Sequence, residues 1–172
     1  PKVVWWPKAR PFMDYLGRCC YMLQQGKFVA DVAYYYGDQA PNFWPFNHCV
    51  PEKPMIEGLE AGYDYDVVNT DVILNRMSVK DGRILLPDGM SYRVLVLPDQ
   101  QQIPLEVLQK LEELVANGAT IIGPKPNLVP GLQDYESRTT RLRELADNMW
   151  GECNGTTVKL NNYGKGRVVC GL

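Results

Sequence analysis

The chain has 172 residues, with 18 Lys+Arg against 20 Asp+Glu, a formal net charge of −2, and 45% hydrophobic and 22% charged residues. That length fits one domain able to bury about 70% of its unfolded surface, and the composition is globular rather than disordered. Near-neutral charge offers no basic footprint to nucleic acid or an anionic membrane, and no apolar run reaches the ~20 residues of a membrane span.

Along the chain, Phe12, Leu16, Cys19, Cys20 and Leu23 share one face at helical spacing, between Pro11 at the start and Gly26 at the end. Residues 28–35 read as a strand from their Val and Tyr content. Residues 37–65 contain four prolines and no periodicity, and such a long irregular stretch in a compact domain is usually functional or an interface. Asn69 or Thr70 caps the next helix. Residues 83–86 and 90–92 flank Pro87-Asp88-Gly89 as a hairpin. Residues 93–97 form a continuous apolar strand. Pro104 then opens a helix with Val107, Leu108, Leu111, Leu114 and Val115 inward, ended by Gly118. A strand over 119–122, a helix over 137–150 and a hairpin of 157–160 with 167–170 complete the series.

Helices alternating with buried strands predict an α/β, three-layer sandwich with a mostly parallel sheet and added β-hairpins. Ligands in such sheets sit beyond the carboxyl ends of the strands. Residues 37–66, 99–103 and 124–136 are expected to share that edge. The chain begins at Pro1 without a leader pattern and stops in what reads as a strand, so both ends look like cuts in a longer polypeptide. Residues 1–27 are then a segment and helix leading from a preceding domain, and residues 28–172 the α/β domain.

Catalytic chemistry is sparsely provided for. The single histidine, His48, precedes Cys49 in the Pro-rich stretch, and adjacent residues rarely face each other. No GxSxG elbow occurs. No GxGxxG or Ser/Thr-rich turn follows the first strand to grip a phosphate, so no cofactor is expected. The five cysteines form no CxxC pair and cannot all be bridged, and free, mostly buried thiols are the expectation. Asp64, Asp66 and Asp71 have the oxygen chemistry for calcium, although Asp71 equally suits a helix first turn, and no metal site is assigned. Asn154-Gly155-Thr156 fits a glycosylation sequon.

The residues best suited to a sugar are Tyr36, Asp38, Asn42, Trp44, Tyr63, Asp64, Tyr65 and Asp66. Aromatic faces stack on sugar CH groups, and carboxylates and amides hold hydroxyls. The competing reading is a loop that packs its aromatics on the sheet. Glycosidic hydrolysis needs two carboxyls at a defined separation. Asp38, Glu57, Glu60, Asp64 and Asp66 supply carboxylates, but their spacing singles out no pair.

Several segments together resemble a known family: Tyr15-Leu-Gly-Arg-Cys-Cys-Tyr-Met-Leu-Gln-Gln-Gly26, Val29-Ala-Asp-Val-Ala-Tyr-Tyr-Tyr-Gly37, Gly62-Tyr-Asp-Tyr-Asp66, the stretch Leu86 to Asp99, Gly118 to Pro124 and Tyr163 to Val168. They are similar to the region following the catalytic barrel in bacterial glycoside hydrolases of the α-L-rhamnosidase type, family 106. The resemblance implies a flavodoxin-like or class I glutamine amidotransferase-like domain. It implies an acid and base on a barrel that this chain lacks, so no catalytic residue carries over. Amidotransferase chemistry would need a Cys elbow and a His-x-Glu, which are absent. The implied role is a non-catalytic accessory domain, packed on the barrel of an exported enzyme acting on rhamnose-containing polysaccharide. An independent carbohydrate-binding module using Trp44, Tyr63 and Tyr65, and a small free-standing enzyme using Cys49 and His48, are the alternatives.

Overall fold

A computed structural model of the chain describes residues 3–38 and 63–170. A 3-10 turn, Trp6–Lys8, leads into α1 (Arg10–Leu23). After it come β1 (Val32–Tyr35), β2 (Tyr65–Val68), α2 (Thr70–Arg76), β3 (Ser78–Lys80), β4 (Arg83–Leu85), β5 (Ser91–Tyr92) and β6 (Val94–Val96). The chain continues through α3 (Leu105–Ala116), β7 (Thr120–Ile122), α4 (Tyr135–Trp150), β8 (Leu160–Tyr163) and β9 (Gly166–Val169). Six strands form one sheet in the order β2-β1-β6-β7-β9-β8, and β3-β4-β5 form a second. Within the large sheet only β8 runs antiparallel, on the edge, against β9.

Side chains alternate across a strand, and the two faces of the large sheet differ accordingly. Ala33, Tyr35, Leu95, Ile121 and Val168 join one core with Ile73 of α2, Leu108 and Leu111 of α3, and Leu142 and Trp150 of α4. Val32, Tyr34 and Val96 form a small second cluster on the other face, with Tyr65, Val94 and Ile122 packed against it. The expected third layer is therefore not found among the described residues. The crossovers β2-to-β6, β6-to-β7 and β7-to-β9 all step in one direction across the sheet, and right-handed connections put their helices on one face. Among the parallel connections the β1-to-β2 one steps the other way, and residues 39–62 within it lie outside the described residues.

The caps follow the sequence closely. Asn69 is the N-cap of α2 and its Oδ1 accepts from the Val72 N–H at 3.0 Å. Pro104 precedes α3, and Gly118, at φ +120, releases the chain into β7. The hairpin around Pro87-Asp88-Gly89 is present, with Leu86 N–H donating to Met90 O and Gly89 N–H to Leu86 O. A further hairpin, β3 with β4, went unpredicted. Its two-residue turn is Asp81-Gly82, both at positive φ, and Asp-Gly is the dipeptide that such a turn selects.

Two predictions need correcting. The terminal hairpin lies about three residues later than expected on its first strand. The Asn154 Oδ1 accepts from the N–H groups of Thr156, Thr157 and Val158, which holds 154–158 in a side-chain-closed turn and delays β8 to Leu160. The hairpin then reverses at Gly164, φ +57, beside Ala116; a Cβ on Gly166 would overlap the carbonyls of Val115 and Ala119. The second correction concerns the cysteines. Cys153 and Cys170 are disulfide-bonded, with Cα atoms 6.0 Å apart and 17 residues of separation, whereas Cys19 and Cys20 are free and unburied. Cys49 lies outside the described residues. The bridge ties the end of the α4 segment to the end of β9, two points that sequence spacing alone could not pair. Closing a loop of this length contributes about 3 kcal/mol through the unfolded state. Cys153→Ser should therefore lower the unfolding free energy by about that amount in denaturant titration, with one additional reactive thiol counted in the unfolded protein.

Candidate functional site

The carboxyl ends of β1 and β2 meet at a compact polar cluster. The chain leaves β1 through Tyr36, whose N–H donates to Val68 O at 2.9 Å, and turns at Gly37, φ +82. This brings Asp38 against the first turn of α2. Thr70 Oγ1 donates to the Asp38 carboxylate at 2.6 Å, and the buried Tyr35 hydroxyl lies 2.9 Å from Thr70 Oγ1 and 3.1 Å from Asp38 Oδ2. Thr70 has one proton and the carboxylate has none, so the Tyr35 hydroxyl is a donor into the pair. Burial, with the Asp38 charge as a lesser cause, pushes the Tyr35 phenol well above its ordinary range.

The neighbouring loops close the same edge. Gly37, whose positive φ suits glycine, brings the turn after β1 close to Gln100 and Pro98 in the turn after β6. Leu97 N–H donates to Ile122 O, and Gly123 N–H to Val169 O. The indole N–H of the fully buried Trp150 donates to Gly123 O at 3.1 Å. The Gln101 carbonyl accepts from Asn127 and Leu128 N–H, and Arg143 Nε donates to Asn127 O at 2.9 Å. Residues 99–103 thus meet residues 127–128 of the expected 124–136 loop at the carboxyl edge.

The second half of the predicted set lies at the opposite edge. β1 and β2 are parallel, with Val32 opposite Tyr65, so Tyr63, Asp64, Tyr65 and Asp66 stand at the amino end of the sheet. Asp66, level with Ala33, lies three residues of strand, roughly 10 Å, from the level of Tyr36, and Tyr63 to Tyr65 lie farther still. The expectation that residues 37–66 form one ligand edge does not hold for 63–66, because a parallel partner strand must start from the amino side, and residues 39–62 lie outside the described residues. The individual roles are also visible. Asp66 Oδ2 accepts from the buried Tyr92 hydroxyl at 2.8 Å, joining β2 to the small sheet. Tyr65 packs against the Val32–Tyr34–Val96 cluster. Asp64 O accepts from the Asp31 N–H, and Asp31 pairs with Arg93 at 2.8 Å. Tyr63 remains 54% exposed. Asn42, Trp44, His48, Glu57 and Glu60 lie outside the described residues.

Asp71 occupies the first turn of α2 and accepts from Asn75 Nδ2, the structural use foreseen for it. Among the described residues no three His, Cys, Asp or Glu side chains are grouped to hold a metal ion. No helix among them is long and apolar enough to cross a membrane. The residues that sequence reasoning missed are Tyr35, Thr70 and Tyr92. Thr70 and Tyr92 are hydroxyls held against carboxylates from distant parts of the chain, pairings with no sequence spacing to reveal them, and Tyr35 joins Asp38 across the turn at Gly37.

The arrangement defines an α/β domain whose edge carboxylates accept hydrogen bonds from its own hydroxyls. A sequence profile described as alpha-L-rhamnosidase, glycoside hydrolase family 106, matches residues 2–172. The chain belongs to that family. A curated relative from Formosa agariphila, provisionally named a beta-glucuronidase, is 38% identical over 162 residues, which is 94% of this chain and 13% of the relative. The solved rhamnosidase from Novosphingobium sp. PP1Y superposes with a TM-score of 0.75 at 28% identity, over 96% of this chain and 15% of that one. The chain therefore spans about one seventh of the length of the glycosidases it matches.

The tyrosine–carboxylate pairs make a pH prediction. The Tyr92 phenol is raised by burial and then by Asp66, and Tyr35 is raised as described above. A raised phenol stays protonated in the folded chain while its unfolded counterpart ionises, so its contribution is complete below about pH 10 and is lost as pH climbs toward the folded value. Thermal unfolding followed from pH 8 to 11.5 should show Tm falling above about pH 10, with a shallower fall in the Tyr35→Phe, Tyr92→Phe double variant.

Proposed function

We propose that this chain is a non-catalytic accessory domain of a larger bacterial glycoside hydrolase acting on rhamnosides, where it packs against the catalytic barrel and walls part of its cleft. The observation that carries the reading is the proportion of the matches. Nearly all of this chain aligns with about one seventh of each relative. We read a segment this small in its relatives as one module of a longer chain, with the acid–base chemistry supplied by other parts of that chain. The engagement of Asp38 by Thr70 and Tyr35, and of Asp66 by Tyr92, supports the same reading. A carboxylate that holds two elements of its own fold together is poorly placed to exchange a proton with a substrate.

The finer fold reading is flavodoxin-like or amidotransferase-like. The parallel order β2-β1-β6-β7-β9 supports it, because it repeats the 2-1-3-4-5 order of such sheets. Export of the parent enzyme is supported by the Cys153–Cys170 bridge, since stable disulfides belong to oxidising compartments.

The test uses the full-length enzyme and an aryl α-L-rhamnoside. Asp38→Asn and Asp66→Asn should each leave kcat within about threefold of the parent while lowering Tm. A fall of roughly 10²–10⁴, the contribution of a general acid or base, would place the chemistry in this segment and overturn the proposal.

A further inference from the structure

We propose that the apolar stripe of α1 is a docking surface, and that its occupant is another domain of the same polypeptide. The inference rests on the reading of this chain as one module of a longer glycosidase and adds where the module attaches. The helix runs from Arg10 to Leu23, and none of its residues is buried. Phe12 is 52% exposed and Leu23 85%, with Leu16 between them on the same face. The charged side chains Arg10, Asp14 and Arg18 recur every four residues and so occupy one narrow strip on the other side. Scattered exposed apolar residues are ordinary, but a contiguous stripe marks an interaction site.

Local energetics point the same way. A helix of 14 residues alone in water is marginal, and amphipathic helices draw most of their stability from packing one face. This one carries Gly17 in mid-helix, an unfavourable residue there, with none of the described residues within 4 Å of where its Cβ would be. The apolar surface continues past both ends of the helix, through Trp5 and Trp6 on one side and Phe28 and Val29 on the other.

The length of the relatives identifies the occupant. The superposition on the solved rhamnosidase takes in 96% of this chain, which leaves about seven residues out, fewer than the 14 of α1. At least part of the helix therefore belongs to the architecture shared with a chain of which this one is 15%. A domain tethered on the same polypeptide meets α1 at an effective concentration in the millimolar range, which a second copy would not reach in dilute solution.

Cys20, exposed here and free, lies between Leu16 and Met13 around the helix and reports on its cover. In the native full-length enzyme, a pulse of iodoacetamide followed by peptide mass spectrometry should modify Cys20 about tenfold or more slowly than in the same enzyme unfolded in urea, as expected of a site opened only by local fluctuation. Phe12→Asp with Leu16→Asp should restore fast labelling while the Cys153–Cys170 peptide stays bridged. Labelling of native Cys20 as fast as in urea overturns the proposal. So does protection that fades on dilution, which would assign the stripe to a second copy, and so does protection that appears only with lipid vesicles. The two readings fail separately. Freely reactive Cys20 in an enzyme whose Asp38→Asn variant keeps its turnover removes the docking surface alone. Loss of turnover in Asp38→Asn removes the accessory reading whatever Cys20 does.

Discussion

The parallel pairing of β1 between β2 and β6 is the constraint on which the rest of this structure depends. Val32, Ala33, Tyr34 and Tyr35 are all buried, so β1 must be covered on both faces and bonded along both edges. Parallel neighbours cannot be joined by tight turns, so each must be reached by a crossover. The three crossovers leading to β6, β7 and β9 step the same way and stack α2, α3 and α4 on one face. The clips at the two ends of β1 are of different chemistry. Asp31 pairs with Arg93 at the amino end, and Asp38 receives Thr70 and Tyr35 at the carboxyl end.

This geometry decides what the acidic residues can do. A glycosidase needs two carboxyls on opposite sides of one bond, whereas here the parallel register sends Asp38 and the Asp64–Asp66 pair to opposite edges. Each of Asp38 and Asp66 then serves as an acceptor for a buried tyrosine of its own fold. The same hydroxyl–carboxylate pairing gives these groups a structural use at the edges, as the proposed accessory role requires. Membership of a rhamnosidase family and a structural role for the conspicuous acids are thus compatible.

The sequence was most legible where a local rule governed. Apolar periodicity located α3 and α4, Asn69 located the start of α2, and Pro87-Asp88-Gly89 located one hairpin. Asp81-Gly82 carries an equally good turn signal, and both residues adopt the positive φ that it needs. Legibility ended where distance in sequence was large. Nothing in the spacing of Cys153 and Cys170 reveals their bond, and an alternation such as Tyr63-Asp64-Tyr65-Asp66 cannot say which end of the sheet it borders. The reversal between β1 and β2 sets that, and it is a property of topology. The α1 stripe is a third case: its periodicity was plain, but periodicity does not tell an inward face from one awaiting a partner.

The most direct test is a structure of the full-length enzyme with a rhamnoside analogue bound. The account predicts that the carboxylates within hydrogen-bonding reach of the glycosidic oxygen, or of the attacking water, come from outside residues 1–172. Asp38, Asp64 or Asp66 found about 3 Å from either atom would contradict it.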